Sequence, residues 1–265
     1  MKKKRYPSDL TDGEWNHVKR LIPKAKPGGR PRTLNMREVL NAVFYLVRGG
    51  VAWAMLPKDF PNYKSVYHYF RRWRMTGRWK AIHDRLRKSL RQRVGRKPSP
   101  SAAILDSQSV KTTEVGGEER GFDKAKNING RKRHLLVDTL GLVIVAVVHS
   151  AARGEREGAK LVLATLATSI SRLRHIWADR GYTGPLLEWV WKLRKRRRIE
   201  LEIVKRKYNQ EGFVVLPRRW VVERTFGWLG RSRRLSKDYE RLTASSETMI
   251  YLAMTRLMLK RLASK

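Results

Sequence analysis

Two apolar runs that each end on an aspartate constrain this chain more than any other feature. Ala102-Ala-Ile-Leu-Asp106 leads into the polar Ser-Gln-Ser, and His175-Ile-Trp-Ala-Asp179 leads into Arg-Gly-Tyr. Short apolar runs of this kind suit buried strands whose carboxyl ends open onto a site. A carboxylate at the rim of a core is costly unless something cationic neutralises it. Taken alone, Asp106 reads better as a turn aspartate after an ordinary strand. The rest of the chain reverses that reading.

The segments around these runs follow a definite order. Residues 111–130 form a polar loop that carries Gly116-Gly117 and ends in Asn129-Gly130. Residues 132–138 and 142–148 are apolar or β-branched runs joined through Thr139-Leu140-Gly141, the pattern of a hairpin. Residues 154–171 have helical spacing, with Ala159, Val162, Leu163 and Leu166 inward. After the strand at 174–179 come a helix over 185–198, a strand over 199–204, and a helix from Pro217 to about Leu235. Strand, hairpin, helix, strand, helix, strand, helix is the order of a ribonuclease-H-like α/β fold, where the first and fourth strands lie side by side in parallel.

Composition decides what such a fold would act on. The chain carries 60 Lys+Arg against 23 Asp+Glu, a formal net charge of +37, while 41% of its residues are hydrophobic. The hydrophobic share is that of a globular protein, so the charge does not mean disorder. A surface this basic repels itself unless a polyanion neutralises it, and nucleic acid is the obvious one. No segment approaches the ~20 uninterrupted apolar residues of a membrane-spanning helix, and the opening Met-Lys-Lys-Lys-Arg-Tyr-Pro lacks the apolar region of a signal peptide. Without cysteine there is no disulfide and no thiolate metal site. A cytoplasmic, nucleic-acid-facing protein with no membrane partner is expected.

The first 95 residues read as short helices. Ser8, Asp9 and Thr11 offer caps for a helix carrying Trp15, Val18 and Ile22. Pro23 to Thr33 interrupts the pattern with Pro-Gly-Gly-Arg30-Pro-Arg32, which is either a basic linker or an arm for a minor groove. Asn35 caps a second helix with Val39, Leu40, Val43, Phe44 and Val47 inward and Gly49-Gly50 as its stop. In the stretch 64–75, Val66, Phe70 and Trp73 share one helical face, while Tyr67, Arg71 and Arg74 share another. One face packs and the other offers donors, so helix, turn and basic helix predict a helix-turn-helix over double-stranded DNA. Residues 1–95 are thus the expected DNA-binding domain, 96–101 a linker, 102–240 the catalytic domain and 241–265 a C-terminal helix that packs on the catalytic core or supplies an interface, the core being the favoured place.

Adjacent parallel strands would set Asp106 and Asp179 at one sheet edge. Two carboxylates at close range repel and need protons or cations. Mg²⁺ suits them, because it prefers oxygen ligands and keeps several positions for water and phosphate. A third acid, Glu223, lies in Pro217-Arg-Arg-Trp-Val-Val-Glu-Arg-Thr-Phe-Gly-Trp-Leu-Gly-Arg. At helical spacing Val221, Val222, Thr225, Trp228 and Leu229 fall away from it, and Arg219, Gly227 and Gly230 fall beside it. Each helical glycine costs about 1 kcal/mol relative to alanine, which the close approach of a DNA backbone or of the sheet would explain. Read alone, Glu223 is equally a surface glutamate paired with Arg219.

Six segments together resemble the DDE-type insertion-sequence transposases, most closely the insertion-sequence-five group. They are Tyr-Pro-Ser-Asp-Leu-Thr-Asp near the start, Gly-Arg-Pro-Arg, Leu-Asp-Ser-Gln-Ser-Val-Lys, Gly-Arg-Lys-Arg-His-Leu-Leu-Val-Asp, Ala-Asp-Arg-Gly-Tyr, and Arg-Arg-Trp-Val-Val-Glu-Arg-Thr-Phe-Gly-Trp-Leu. The resemblance implies a ribonuclease-H-like catalytic domain, two Mg²⁺ ions (Mn²⁺ may replace them), and an acid trio at Asp106, Asp179 and Glu223. It further implies DNA cleavage and strand transfer at the terminal inverted repeats of the element. The related insertion-sequence-four group has Tyr, Arg, Glu and Lys at fixed spacing around its glutamate. Here Arg219 and Glu223 match, the Tyr position is Leu216, and the Lys position is Gly230, with Arg231 beside it as the substitute phosphate contact. No β-rich insertion is expected between Asp179 and Glu223. Glu155 and Glu157 are the reserve acids should Glu223 prove structural.

Two rival functions fit part of this pattern. A recombinase forming a covalent link to DNA would need Ser107 or Tyr239 as nucleophile, but no His/Arg constellation gathers around Tyr239. A basic sequence-specific DNA-binding protein without catalytic activity fits the charge and the helix-turn-helix, but leaves the three acids unexplained. Joining two DNA ends in concert needs two sites, so a homodimer or higher oligomer on DNA is expected.

Overall fold

Thr11 begins the first helix for a local reason. Its hydroxyl accepts the Glu14 N–H, and the Glu14 carboxylate accepts the Thr11 N–H at 2.8 Å, a reciprocal cap that starts α1 (Asp12–Val18). The computed structural model describes residues 6–25, 28, 31–114, 117, 119–166, 170–197, 199–204 and 218–264. Arg30, Leu216 and Pro217 lie outside them. Two compact units divide the chain: Met1–Arg96 with Arg231–Ser236 and Thr248–Lys265, and Lys97–Gly230 with Lys237–Glu247.

The first unit is helical. In α2 (Met36–Gly49) Asn35 accepts the Arg37 N–H, and Gly50 ends the helix in the left-handed conformation that glycine tolerates. Its buried face is Val39, Leu40, Val43, Phe44 and Val47, as the spacing predicts. In α3 (Tyr63–Met75) Val66, Phe70 and Trp73 are buried, while Tyr67 and Arg71 are exposed and Arg74 is half-buried. Gly77, at φ 65°, turns the chain into α4 (Arg78–Arg93), and Trp79 donates its indole N–H to the Phe70 carbonyl at 3.1 Å. The last helix, α8 (Thr243–Ala263), joins this unit from Thr248 onward, where packing on the catalytic core was expected. Arg256 pairs with the buried Glu14, and Tyr251 packs on His83 with ring centroids 5.0 Å apart. A buried glutamate needs such a cation, and α8 supplies it.

The second unit is a mixed sheet with helices. Its strands are β1 (Ala102–Lys111), β2 (Gly121–Asp123), β3 (Ile128–Asp138), β4 (Val143–Ser150), β5 (His175–Ala178) and β6 (Glu200–Ile203). The order is β2-β3-β1-β5-β6, with β4 also on β3, and the β1–β5 and β5–β6 pairs are parallel. The expected side-by-side pair is β1 and β5. The core lies between this sheet and α5 (Glu155–Thr165) and α6 (Pro185–Arg197), with Leu105, Leu136, Val162, Ile176 and Leu186 at its centre. On α5 the four positions read as inward, Ala159, Val162, Leu163 and Leu166, are all buried.

Three local readings need correction. The first strand does not stop at Asp106, because β3 continues to pair with it as far as Lys111 opposite Gly130. Part of the 111–130 loop is therefore strand, including the short β2. The helix expected from Pro217 to about Leu235 is α7, Trp220–Gly230, and a separate 3-10 turn covers Arg233–Leu235. Between Asp179 and Glu223 the described residues hold α6 and β6, and 205–217 lie outside the description.

Candidate active site

Register places the first two acids. Ile104 pairs with Trp177 in the parallel β1–β5 ladder, and Asp106 and Asp179 each lie two residues further along. Asp106 sits mid-strand, but at the point where its parallel partner ends. There the sheet opens, as the carboxyl edge of parallel strands does in other α/β sites. Asp106 Oδ1 accepts the Ser107 N–H at 2.7 Å. Asp179 caps the 3-10 turn Arg180–Tyr182, its Oδ1 accepting the Gly181 N–H at 2.8 Å.

Helix α7 brings the third acid, and its seat on the sheet fixes where that acid stands. Val221, Val222, Thr225 and Leu229 are buried. The Thr225 hydroxyl donates to the Gly141 carbonyl at 2.8 Å, in the turn between β3 and β4. Gly141 has φ 80°, and a Cβ there would lie 2.8 Å from the Thr225 hydroxyl and 2.9 Å from the Trp228 ring, so only glycine admits the helix this close. Asp138 shapes the same turn by accepting the N–H groups of Leu140 and Leu142. Arg224 stacks between Trp220 and Trp228, 4.4 and 4.6 Å from their ring centres, and donates to the Leu140 carbonyl.

The three acids meet at one guanidinium. Arg219 Nη2 lies 3.7 Å from Asp106 Oδ2, 3.6 Å from Asp179 Oδ2 and 3.8 Å from Glu223 Oε1. These are ion-pair separations, longer than hydrogen bonds. Exposure grades across the trio, from 16% for the Asp106 side chain to 54% for that of Glu223. Burial pushes the Asp106 carboxyl up to about 7, against the Ser107 N–H and Arg219, with Asp179 and Glu155 adding to the rise. The donor set is carboxylate oxygen around a cation, which fits a hard divalent ion. As placed, Arg219 supplies the positive charge, and among the described residues no three His, Asp or Glu side chains are already closed around a point that an ion would fill. The glycines beside Glu223 are not explained by the sheet. A Cβ at Gly227 or Gly230 would meet nothing within 4 Å.

A second polar cluster lies on the other face of β1, and the sequence reading missed most of it. Glu155, at the first turn of α5, accepts the Ser107 hydroxyl at 2.6 Å and the Tyr182 hydroxyl at 3.2 Å. Its carboxylate also stands 3.3 Å from Lys132 Nζ and 3.2 Å from His134 Nε2. Lys132 reaches Asp123 at 3.2 Å, and Asp123 accepts the Ser109 hydroxyl at 2.5 Å. Burial alone would raise the Glu155 carboxyl, but His134, Ser107 and Lys132 outweigh it and hold the group at about 2. His149 bonds His134 across 2.9 Å, and burial brings the His149 imidazole down to about 4. Helix α5 can sit on this histidine pair only because position 158 is glycine, where a Cβ would lie 2.1 Å from His134 Cε1. Glu157 is exposed on the same turn. The available signal was the run Arg131-Lys-Arg-His134, four basic residues leading a strand that is otherwise apolar. Strand periodicity sends alternate residues to opposite faces. Lys132 and His134 go to Glu155, while Arg131 donates to the Glu240 and Arg241 carbonyls and Arg133 to that of Lys237.

Of the remaining predicted site residues, Arg32 is exposed and donates to the Pro23 carbonyl at 2.8 Å, and Arg30 lies outside the described residues. Tyr67, Arg71 and Arg74 belong to α3, and Arg231 to the first unit.

Two family models match the chain. Residues 97–258 match the family model "Transposase DDE domain", and residues 10–83 match "Putative transposase of IS4/5 family". An uncharacterized protein of Sinorhizobium fredii, y4sN, is 30% identical over 64 residues, which is 24% of this chain and 51% of that protein. The chain thus spans about half the length of the curated relative it matches. No solved structure matches. Such a domain implies a ribonuclease-H-like fold, a divalent metal ion and a DNA substrate. The chain belongs to the DDE-domain transposases of the IS4/IS5 group.

Proposed function

We propose that the protein binds the terminal inverted repeats of its own insertion sequence, cleaves DNA there and joins the freed end to a target. The observation that carries this reading is the convergence of Asp106, Asp179 and Glu223 on one guanidinium nitrogen. Carboxylates from two strands and a helix gather there around a positive charge, in a chain with a net charge of +37.

Asp106, Asp179 and Glu223 would hold divalent ions of the Mg²⁺ type, which when bound would stabilise the charge on the entering and leaving oxygens of an in-line displacement. The protein's own residues do the rest. Asp106 sheds the proton that burial favours and becomes a full carboxylate ligand. Arg219 swings from the acids to a phosphate, exchanging three carboxylate contacts for a planar, charge-assisted one. Glu223, the most exposed of the three, closes on the site last. Water attacks a backbone phosphorus, the bond to the 3′ oxygen breaks, and a 3′-hydroxyl is left. That hydroxyl then attacks a target phosphorus in the same site, the bond from that phosphorus to the target's own 3′ oxygen breaks, and the displaced oxygen leaves with the proton as a new 3′-hydroxyl. The open space beside Gly227 and Gly230 admits the DNA backbone to the Glu223 face of α7.

Recognition falls to the helical unit. We assign α3 as the reading helix of a helix-turn-helix, with Tyr67, Arg71 and Arg74 toward the major groove, and Arg30 and Arg32 toward the adjoining minor groove. Arg231 contacts phosphate. The deciding experiment is incubation with duplexes of the element's own ends and Mg²⁺, scored for nicks that leave 3′-hydroxyls. Ala substitution of Asp106, Asp179 or Glu223 should abolish nicking while DNA binding stays intact or tightens. Unchanged nicking in all three variants would sink the assignment.

A further inference from the structure

Side chains alternate along β1, and the alternation leaves one of them unaccounted for. Ser107 and Ser109 turn to the α5 face, where their hydroxyls go to Glu155 and Asp123. Asp106 and Gln108 therefore share the opposite face. Along that face Ile104 is buried, Asp106 half-buried, Gln108 exposed and Val110 buried again. The strand is covered toward both ends and bare beside the acid.

The covers are α7 and the segment that follows it. Helix α7 packs on β1 and β3 and is seated at the Gly141 turn, beyond the start of β1. Residues 237–241 cross the face at the other end. There the Asp238 N–H donates to the Lys111 carbonyl at 2.8 Å. Arg133, directly opposite Gln108 in the ladder, donates to the Lys237 carbonyl at 3.0 Å. Among the described residues nothing bonds the Gln108 carboxamide. It floors the gap between the two covers, about 6.6 Å along the strand from Asp106. A bare amide is ordinary on an outer surface, but this one opens on the acid site.

The residue type fits that place. A lysine or arginine there would stand within reach of the carboxylates, as Arg219 does, and would compete with a metal ion for them. A further carboxylate would draw ions from the trio and repel DNA. An amide carries no charge, and it presents N–H donors beside an acceptor oxygen. It can hold a phosphate oxygen next to the ions without altering their charge balance.

We propose that Gln108 donates a hydrogen bond to the backbone phosphate next to the bond being cleaved, and so fixes the DNA strand over Asp106. The proposal rests on the reading that the acid trio cleaves DNA.

The test is single-turnover nicking of an element-end duplex at saturating DNA, with the full chain and Mg²⁺. Gln108→Ala should slow nicking about tenfold, the effect of losing one hydrogen bond to a charged group. An uncharged methylphosphonate is then placed at the phosphate on either side of the cut. At one of the two positions it should slow the wild type and erase the difference between wild type and variant, because the losses of two partners in one contact do not add. Gln108→Leu, similar in size, should behave as Gln108→Ala does and stands in if the smaller side chain disturbs the strand. Mn²⁺ binding by the DNA-free protein should be unchanged in both variants. So should the slope of log K against log[salt] for duplex binding, since a neutral side chain neutralises no phosphate. Nicking at the wild-type rate, or losses that add at both phosphates, overturns the proposal. So does weaker Mn²⁺ binding by the variants, which would make Gln108 a support for the ions instead of a contact for DNA. If the wild type itself nicks no duplex, it is the cleavage reading that fails, and this proposal with it.

Discussion

The Ser107 hydroxyl donates to Glu155 Oε2 at 2.6 Å, one residue along β1 from Asp106. Glu155 is therefore a carboxylate near the acid trio that is already spoken for, by Ser107, Tyr182, Lys132 and His134. It steadies the strand that carries Asp106, and its Cγ would lie 3.4 Å from a Cβ at Gly181, the residue whose N–H holds Asp179. We expect Glu155→Ala to lower stability by about 2 kcal/mol, the worth of hydrogen bonds to a charged group, and to reduce nicking without abolishing it. Glu155→Gln, which still accepts from Ser107, should recover most of the nicking. If Glu155→Ala abolishes cleavage and Glu223→Ala does not, Glu155 is the third acid and the trio has been misassigned. Thermal unfolding and nicking, measured on the same preparations, separate the two cases.

Helix α3 carries the recognition prediction. Val66, Phe70 and Trp73 are spent on packing, and Tyr67, Arg71 and the half-buried Arg74 are the face we assign to DNA. Each arginine that contacts a base should contribute about 1–3 kcal/mol of discrimination. Footprinting of Arg71→Ala and Arg74→Ala should therefore show reduced preference for element ends over random DNA. Full preference in both variants would remove α3 as the reader.

Most of the catalytic fold was legible because apolar runs, turn residues and acids follow one another in an order few architectures share. What was not legible has particular causes. Ser107, Gln108 and Ser109 look like a turn, yet they remain strand because β3 supplies their hydrogen bonds and Glu155 and Asp123 take the serine hydroxyls. Local pattern cannot announce a partner nearly fifty residues away. The four buried basic residues of β3 fell inside a run read only as a hairpin strand, and it is pairing in three dimensions that shows Lys132 and His134 beside Glu155 and Arg131 and Arg133 on backbone carbonyls. Asp106, Asp179 and Glu223 were picked out together, by strand ends, helical spacing and the resemblance, and Arg219 was read as a motif match and phosphate contact, not as the cation within 4 Å of all three acids.

Gly227 and Gly230 offer a test that separates stability from binding. A methyl group at either position meets nothing, so Gly227→Ala/Gly230→Ala should leave the fold intact. It should even stabilise α7, by up to about 1 kcal/mol for each glycine placed within the helix. If the DNA backbone approaches this face, the same change should weaken binding to element ends. Higher melting temperature with unchanged DNA affinity would show that the glycines serve no ligand.

Stability should also respond to pH through Glu247. Burial raises its carboxyl from 4.5 to about 7, and the Val148 N–H, which donates to it at 3.0 Å, opposes that rise. The folded state thus holds a proton that the unfolded chain releases earlier. This contribution favours folding fully below the unfolded value and is lost as pH rises to about 7. Glu247→Gln keeps an oxygen for the Val148 N–H and has no proton to lose. Relative to the wild type, its melting temperature should gain progressively between pH 4.5 and 7 and then level off. Parallel curves for the two proteins would refute this.

The last prediction concerns assembly. On the proposed reading one recognition helix and one acid site per chain would engage one DNA end at a time, whereas joining two ends to a target in concert needs two sites at fixed separation. Free chains resist pairing, because +37 on each partner repels across a Debye length of about 8 Å at physiological salt. DNA removes that repulsion by neutralising both partners. We therefore expect a monomeric or weakly associated free protein that pairs when element-end DNA is added. Mass measurement with and without that DNA should show one chain becoming a two-chain, two-end complex, and raising the salt should return it to single chains. A species with one chain per end that integrates both ends in concert, with no paired form at any concentration, would refute the dimer.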